Sequence, residues 1–386
     1  MTITGVLGGR WRATVTPWGA IEPWDGSVAY DWHIAADDRW HSPQHEAAVR
    51  QTVVVGTPVV ETRVRIPDGD AVQRVYSVAD DGGLTIIEIQ NDSPLPIAVA
   101  FTRSDLRSAR PSSSSPPKGI ELPAGSVVFP IGHRSTLTVA ISHAGTGGLL
   151  PTVLPAALQV ARGWVAMSDR ASRFVLPDPA MVDSLVAMRC DLALNGPAHP
   201  DDDPVGFLIG VGQLVRMGER PHEWVPDIAH AVEVAAKGDH DWALGDALIA
   251  AEQVFGAAGE SRARRDLAAV LRRIGLLSSD RPGAVPSGAR LAPWLEQRMV
   301  ATDGTVLPGG IPTEWLGANF EAYGLPVGAA SRVSLAVRWH GDRPAVLWEV
   351  EGDAVRLAAP VVAPQWSTQE PRGEALWPAP ESISFG

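Results

Sequence analysis

The hydrophobic period changes twice along this chain, and those two changes restrict the fold more than any motif does. Up to about Phe174 the apolar residues alternate. In VETRVRI, Val60, Thr62, Val64 and Ile66 take one side while Glu61, Arg63 and Arg65 take the other, the period of a strand with one wet face. AVQRVYSV, GLTIIEIQ, PIAVAF, STLTVAIS and LQVARGWVAM read as further strands, divided by the turn clusters PDGD, DDGG and NDSP, with PSSSSPP (Pro111 to Pro117) as a mobile loop. Many short strands joined in this way predict an antiparallel β-sandwich.

From LPDPAMVDSLVAMRCDLALNG onward the period is three to four, with Met181, Leu185, Met188 and Leu192 in line. That predicts a helix capped near Asp178 with Pro179 in its first turn. Four more amphipathic segments follow, the first opened by Asp203 and Pro204 and a later one by Asp241, and a sixth helix is expected around Leu291 to Arg298. Short Gly-containing connections make these helical hairpins. After about Arg298 strands return, in RVSLAVRWHG and PAVLWEVEG around the turn HGDRP, with VRLAAPVV as a third. The expectation is an α+β multidomain chain: an N-terminal antiparallel β-sandwich over 1–176, a helical-hairpin domain over 177–300, and a loop with a C-terminal β segment over 301–386.

Composition removes several functions. The single cysteine, Cys190, excludes an intramolecular disulfide and any multi-thiolate zinc site within one chain. A net charge of -12 argues against nucleic acid and anionic lipid as partners. No run approaches the roughly 18 apolar residues of a membrane helix, and MTITGVLGGRWR lacks a basic start followed by an apolar segment, so a cytoplasmic location is expected. There is no GxxxxGK[ST], GxGxxG, GxSxG or paired CxxC, and no cofactor is expected.

Fourteen tryptophans outnumber the seven Phe and three Tyr, and five of them fall in the first forty residues. Indoles suit a buried core, stacking on sugar rings, or an apolar patch through which a homo-oligomer could form. DWHIAADDRWH, from Asp31 to His41, reads as a hairpin that buries Tyr30, Trp32 and Ile34. At its tip, Asp37, Asp38, Arg39 and Trp40 are candidates to border a sugar site, gripping hydroxyls by charge while the indole stacks. His33, His41 and His45 are the alternative, a metal site, although Pro43 interrupts the helical spacing that chelation needs. The acidic run Asp201 to Asp203 reads as a helix cap rather than a calcium site, and Asp239, His240 and Asp241 as a similar turn-and-cap cluster rather than an acid/base group at the mouth of a helical domain.

The loop PGGIPTEWLGANFEAYGLPVG (308–328) carries Glu314, Trp315, Asn319, Glu321 and Tyr323. Two carboxylates among aromatics are what glycoside cleavage needs, one as acid and one as base or nucleophile. Glu314 is the first candidate and Glu321 its partner, with Trp315, Asn319 and Tyr323 as substrate contacts. The alternative is a crossing segment whose aromatic residues plug a crevice.

The order of parts, a sandwich, then LPDP opening helical hairpins, then VRWHGDRPAVLWEVEG and STQEPRGEALW, resembles glucoamylases and glycogen-debranching enzymes. That resemblance implies an α/α toroid that binds sugar in its mouth and two carboxylates acting on the glycosidic bond. It covers nearly the whole chain in layout, but no catalytic carboxylate of that group matches a numbered position here. A closed toroid needs a double ring of helices, and five or six make a partial one. The expected function is a cytoplasmic carbohydrate-active protein, a glycoside hydrolase of glucan-like or oligosaccharide substrates. The alternative is a non-catalytic glycan-binding or scaffold protein with a degenerate toroid.

Overall fold

The computed structural model describes residues 2–113, 118–145, 148–238, 241–274 and 281–380. The chain is mixed: among the described residues it has seven α-helices and several antiparallel sheets. It forms two compact units, Met1–Val165 and Ala166–Gly386.

Among its described residues the first unit holds three sheets. The largest orders its strands 107–108, 136–142, 84–91, 69–78, 60–66 and 49–53; a second orders 127–131, 97–101, 32–35 and 40–41; the third is 2–5, 12–15 and 21–23. Inward side chains of all three meet in one core, including Val64, Val75 and Ile87 from the first, Ile34, Val99 and Phe101 from the second, and Val15 and Ile21 from the third. Each such burial stabilises by roughly 1.5–3 kcal/mol. The strand Val60–Ile66 alternates buried and wetter positions as its period predicts. DWHIAADDRWH is a hairpin, with Ile34 opposite His41 and Ala35 opposite Trp40. Tyr30, Trp32 and Ile34 are fully enclosed.

One predicted strand is a helix. LQVARGWVAM lies in α1 (Ala157–Ser168), where Ala157, Ala161, Trp164 and Met167 are buried while Leu158 is exposed. The buried spacings of four, three and three are helical. Leu158, Val160, Trp164 and Ala166 also fall at alternate positions, broken only by Arg162, which is why the period looked like a strand. Residues 114–117 of PSSSSPP lie outside the described residues, as do Asp239 and His240.

The second unit carries α2 (Pro179–Asn195), α3 (Pro204–Met217), α4 (Val225–Ala235), α5 (Leu244–Ala257), α6 (Ser261–Ile274) and α7 (Leu291–Met299). Asp178 accepts from the backbone N–H of Ala180 and Met181, and Asp203 from that of Gly206, so both cap their helices as the sequence predicts. Asp241 instead supports the turn ahead of α5 by accepting from the Ala243 N–H. Arg290 joins the two carboxylates Asp203 and Asp241 through its guanidinium, at 2.6 to 2.9 Å. Among the described residues no helix is long and apolar enough to cross a membrane.

A five-stranded antiparallel sheet completes this unit, in the order 173–175, 320–327, 331–340, 343–352 and 372–376. One face, with Val333, Leu335, Val337, Val346 and Trp348, packs with Trp294 and Leu295 of α7 and with Trp315 and Trp377. VRLAAPVV does not extend this sheet. Only Leu357–Ala359 is strand, and it pairs with Ala363–Thr368 in a separate hairpin.

Candidate functional site

Alternation decides what the five-stranded sheet shows on its other face. In an antiparallel sheet residues opposite one another point to the same side. Because Val333, Leu335 and Val337 face the core, Ser334, Ala336 and Arg338 face outward. The register carries that face across four strands: Glu321, Ala336, Leu347 and Glu374 form one row, and Ser334, Glu349 and Arg372 the next. Tyr323 lies beside them, at an irregularity in pairing between Ala322 and Leu325. Apart from Glu321, these residues line an open groove of about 640 Å3, with Ala336 and Leu347 as an apolar floor. Small-molecule sites span about 300–1,000 Å3.

Glu321 does not line the groove itself but is pinned to two residues that do, Tyr323 and Arg338. It accepts from the Tyr323 hydroxyl and from the Arg338 guanidinium. The Tyr323 hydrogen bond, with Arg338 and the charge of Arg173, holds the Glu321 carboxyl below its usual range. The same carboxylate raises the Tyr323 phenol. Arg173 lies 5.3 Å from the centre of the Tyr323 ring, so one ring face meets a cation. The Glu321 carboxylate is therefore ionised, between a neutral phenol and a guanidinium.

The other candidates of the loop stand elsewhere. Glu314 is exposed on a 3-10 turn, Thr313–Trp315. Trp315 is 5% exposed and packs on Phe320, ring centres 5.3 Å apart, which encloses its indole in the core. Asn319 accepts the Trp339 N–H at 3.1 Å, and the Trp339 indole donates to the Ala318 carbonyl at 2.8 Å, so this end of the loop is fastened to its neighbouring strand. Of the five residues, Glu321 and Tyr323 come together.

Asp37, Asp38, Arg39 and Trp40 belong to the first unit. Arg39 grips both carboxylate oxygens of Glu46, at 2.6 and 3.0 Å. His41, nearly buried, stands between Asp38 at 3.0 Å and Glu46 at 3.2 Å. The Trp40 indole donates to the Lys118 carbonyl at 2.8 Å, and Asp37 is exposed. Asp38, Arg39 and Trp40 thus bind their own surroundings. Among the described residues no group of three or more His, Cys, Asp or Glu is placed to hold a metal ion, His33, His41 and His45 included. His33 meets the Ser42 hydroxyl at 2.9 Å.

Sequence reasoning passed over Ser334, Arg338, Glu349, Arg372 and Glu374. The available signal was the outward half of the alternation in SLAVRW and VLWEVE, which marks polar positions on one face without saying that three strands bring these five residues together. No protein-family model and no curated protein sequence matches this chain.

Proposed function

We propose that this chain is a non-catalytic glycan-binding protein that holds a neutral, glucan-like oligosaccharide on the outer face of the five-stranded sheet. One observation carries the reading: an open groove with an apolar floor, Ala336 and Leu347, is walled by Tyr323 and by carboxylates and guanidiniums together. A sugar presents a C–H face to such a floor and its hydroxyls to charged groups that hydrogen-bond strongly. Glu349 and Glu374 are offset by Arg338 and Arg372, so the lining favours an uncharged ligand over an ionic one.

Cleavage by Glu314 and Glu321 fits less well. Glycoside hydrolysis uses one carboxyl that is protonated and a second that acts across the bond. Glu321 is held ionised by Tyr323 and Arg338, and Glu314 stands exposed on its turn, away from the Glu321 cluster. In this reading the N-terminal sheets form a β-sandwich and α2 to α7 a partial α/α toroid, so the resemblance to glucoamylases is one of layout without the chemistry. The location is cytoplasmic.

A thermal-shift screen against α-glucans, maltooligosaccharides and trehalose tests this, because a ligand that binds only the native state raises the melting temperature. The expected result is a rise with one class that Tyr323→Ala and Leu347→Asp abolish. A flat response to the whole panel overturns the proposal.

A further inference from the structure

The helices of the second unit enclose polar chemistry that packing alone does not require. A cavity of about 40 Å3 is lined by α3, α5 and α7 and presents Gln213, Arg216, Asp246, Gln253, Glu296 and Gln297. It shares Gly212, Arg216, Gln253 and Pro326 with a recess of about 300 Å3 that reaches Ser331 and Arg332. The helices around it are not loosely packed. A Cβ on Gly212 would stand 2.8 Å from that of Ala250, so α3 and α5 are already as close as a glycine permits. Polar side chains in such a core cost free energy unless each finds a partner.

Most of the charge here is paired. Glu296 takes Arg189 at 3.3 Å, Arg216 at 2.8 Å and the Ser172 hydroxyl at 2.7 Å. Asp246, with a side chain 7% exposed, takes Arg281 at 2.8 and 3.1 Å and the Gln297 amide. Hydrogen-bonding capacity is nevertheless left over. Gln213 uses its oxygen on Arg189 and Gln253 uses its nitrogen on the Gly328 carbonyl, both at 3.0 Å. The nitrogen of Gln213 and the oxygen of Gln253 remain for a ligand. Paired charges and spare amides match a hydroxyl, which both donates and accepts, better than an anion.

We propose that this cavity and its recess form a second binding site, which takes a small neutral polyol or a single sugar residue with one hydroxyl in the cavity beside Asp246. A hydroxyl fits the cavity, since a water needs roughly 10–15 Å3, and the recess matches the lower end of small-molecule sites, about 300 Å3. None of its lining residues belongs to the sheet-face groove, so the two sites stand or fall separately.

Calorimetric titration of the full chain with glycerol, myo-inositol and D-glucose tests the site. One of these probes is expected to bind saturably at one equivalent, to bind equally well to Tyr323→Ala, and to bind about tenfold more weakly to Gln253→Ala, the loss expected for one hydrogen bond. Asp246→Asn should weaken it further. If that variant fails to fold because Arg281 loses its partner, Gln253→Ala decides. No saturable heat from any of the three probes, binding lost in Tyr323→Ala, or unchanged binding in folded Gln253→Ala overturns the proposal.

Discussion

His143 lies flat on Trp11, ring centres 4.0 Å apart, and meets the Thr85 hydroxyl through Nε2 at 2.9 Å. Burial, helped by the charge of Arg12, pushes its pKa down to about 4, against about 6.5 in an unfolded chain. Between those values the unfolded chain binds a proton that the folded one refuses. Stability contributed at neutral pH is therefore lost as pH falls from about 6.5 towards 4. Melting temperature measured across that window should drop, and His143→Gln should flatten the drop. Arg189 makes a second case. It is 1% exposed and bonds Ser168, Ser172, Gln213 and Glu296. Arg189→Ala leaves part of a buried ionic network without its partner and should cost about 3 kcal/mol or more in denaturant unfolding. Neither role was legible in the sequence. In VAMRCDL, Arg189 looks like a polar helix position, and its partner Glu296 lies 107 residues away. Glu321 and Tyr323 were legible as polar residues in an unusual loop, because they are close in sequence. Arg338, which completes their cluster, is brought in by strand pairing.

Helix ends are the part of this chain that local sequence specifies most directly. A cap needs one side chain and the backbone two or three residues on, so Asp178 with Pro179 and Asp203 with Pro204 could be read at sight. Asp178→Ala should cost about 1 kcal/mol, the usual value of a cap. Asp203→Ala should cost more in the same assay, because Arg290 then keeps Asp241 alone; an equal loss would mean that the Arg290 clasp contributes nothing. Within Val60 to Ser142 the strands of VETRVRI, AVQRVYSV, GLTIIEIQ, PIAVAF and STLTVAIS were also legible from their apolar runs and bounding turns, whereas Arg107–Ser108 and Val127–Ile131 were not. α1 was not. Its apolar residues satisfy both periods over a short stretch, and the burial of Ala161 and Trp164 that decides between them is tertiary. The pairing of Arg173–Val175 with Phe320–Val327 was equally out of reach, for its partners are far apart in sequence.

At the scale of the molecule, the order of β, α and β elements carried the resemblance to glucoamylases, but chemistry depends on individual groups and not on layout. The segment from Glu314 to Glu321, expected as a loop, illustrates the difference, since Glu314 sits on a 3-10 turn and Glu321 in the strand Phe320–Val327. Sequence placed two carboxylates among aromatics; the fold buries Trp315, fastens Asn319 and locks Glu321 to Arg338. Prolonged incubation with maltooligosaccharides should accordingly generate no new reducing ends at any pH, and detectable chain shortening would restore the catalytic reading. The most direct test of the binding claim is amide hydrogen exchange with and without a saturating maltooligosaccharide, followed along the whole chain. The account predicts slowed exchange in residues 321–323, 334–338, 347–349 and 372–374 and no change in 31–46. Protection confined to 31–46 or to 308–319, with none on the sheet, would contradict it.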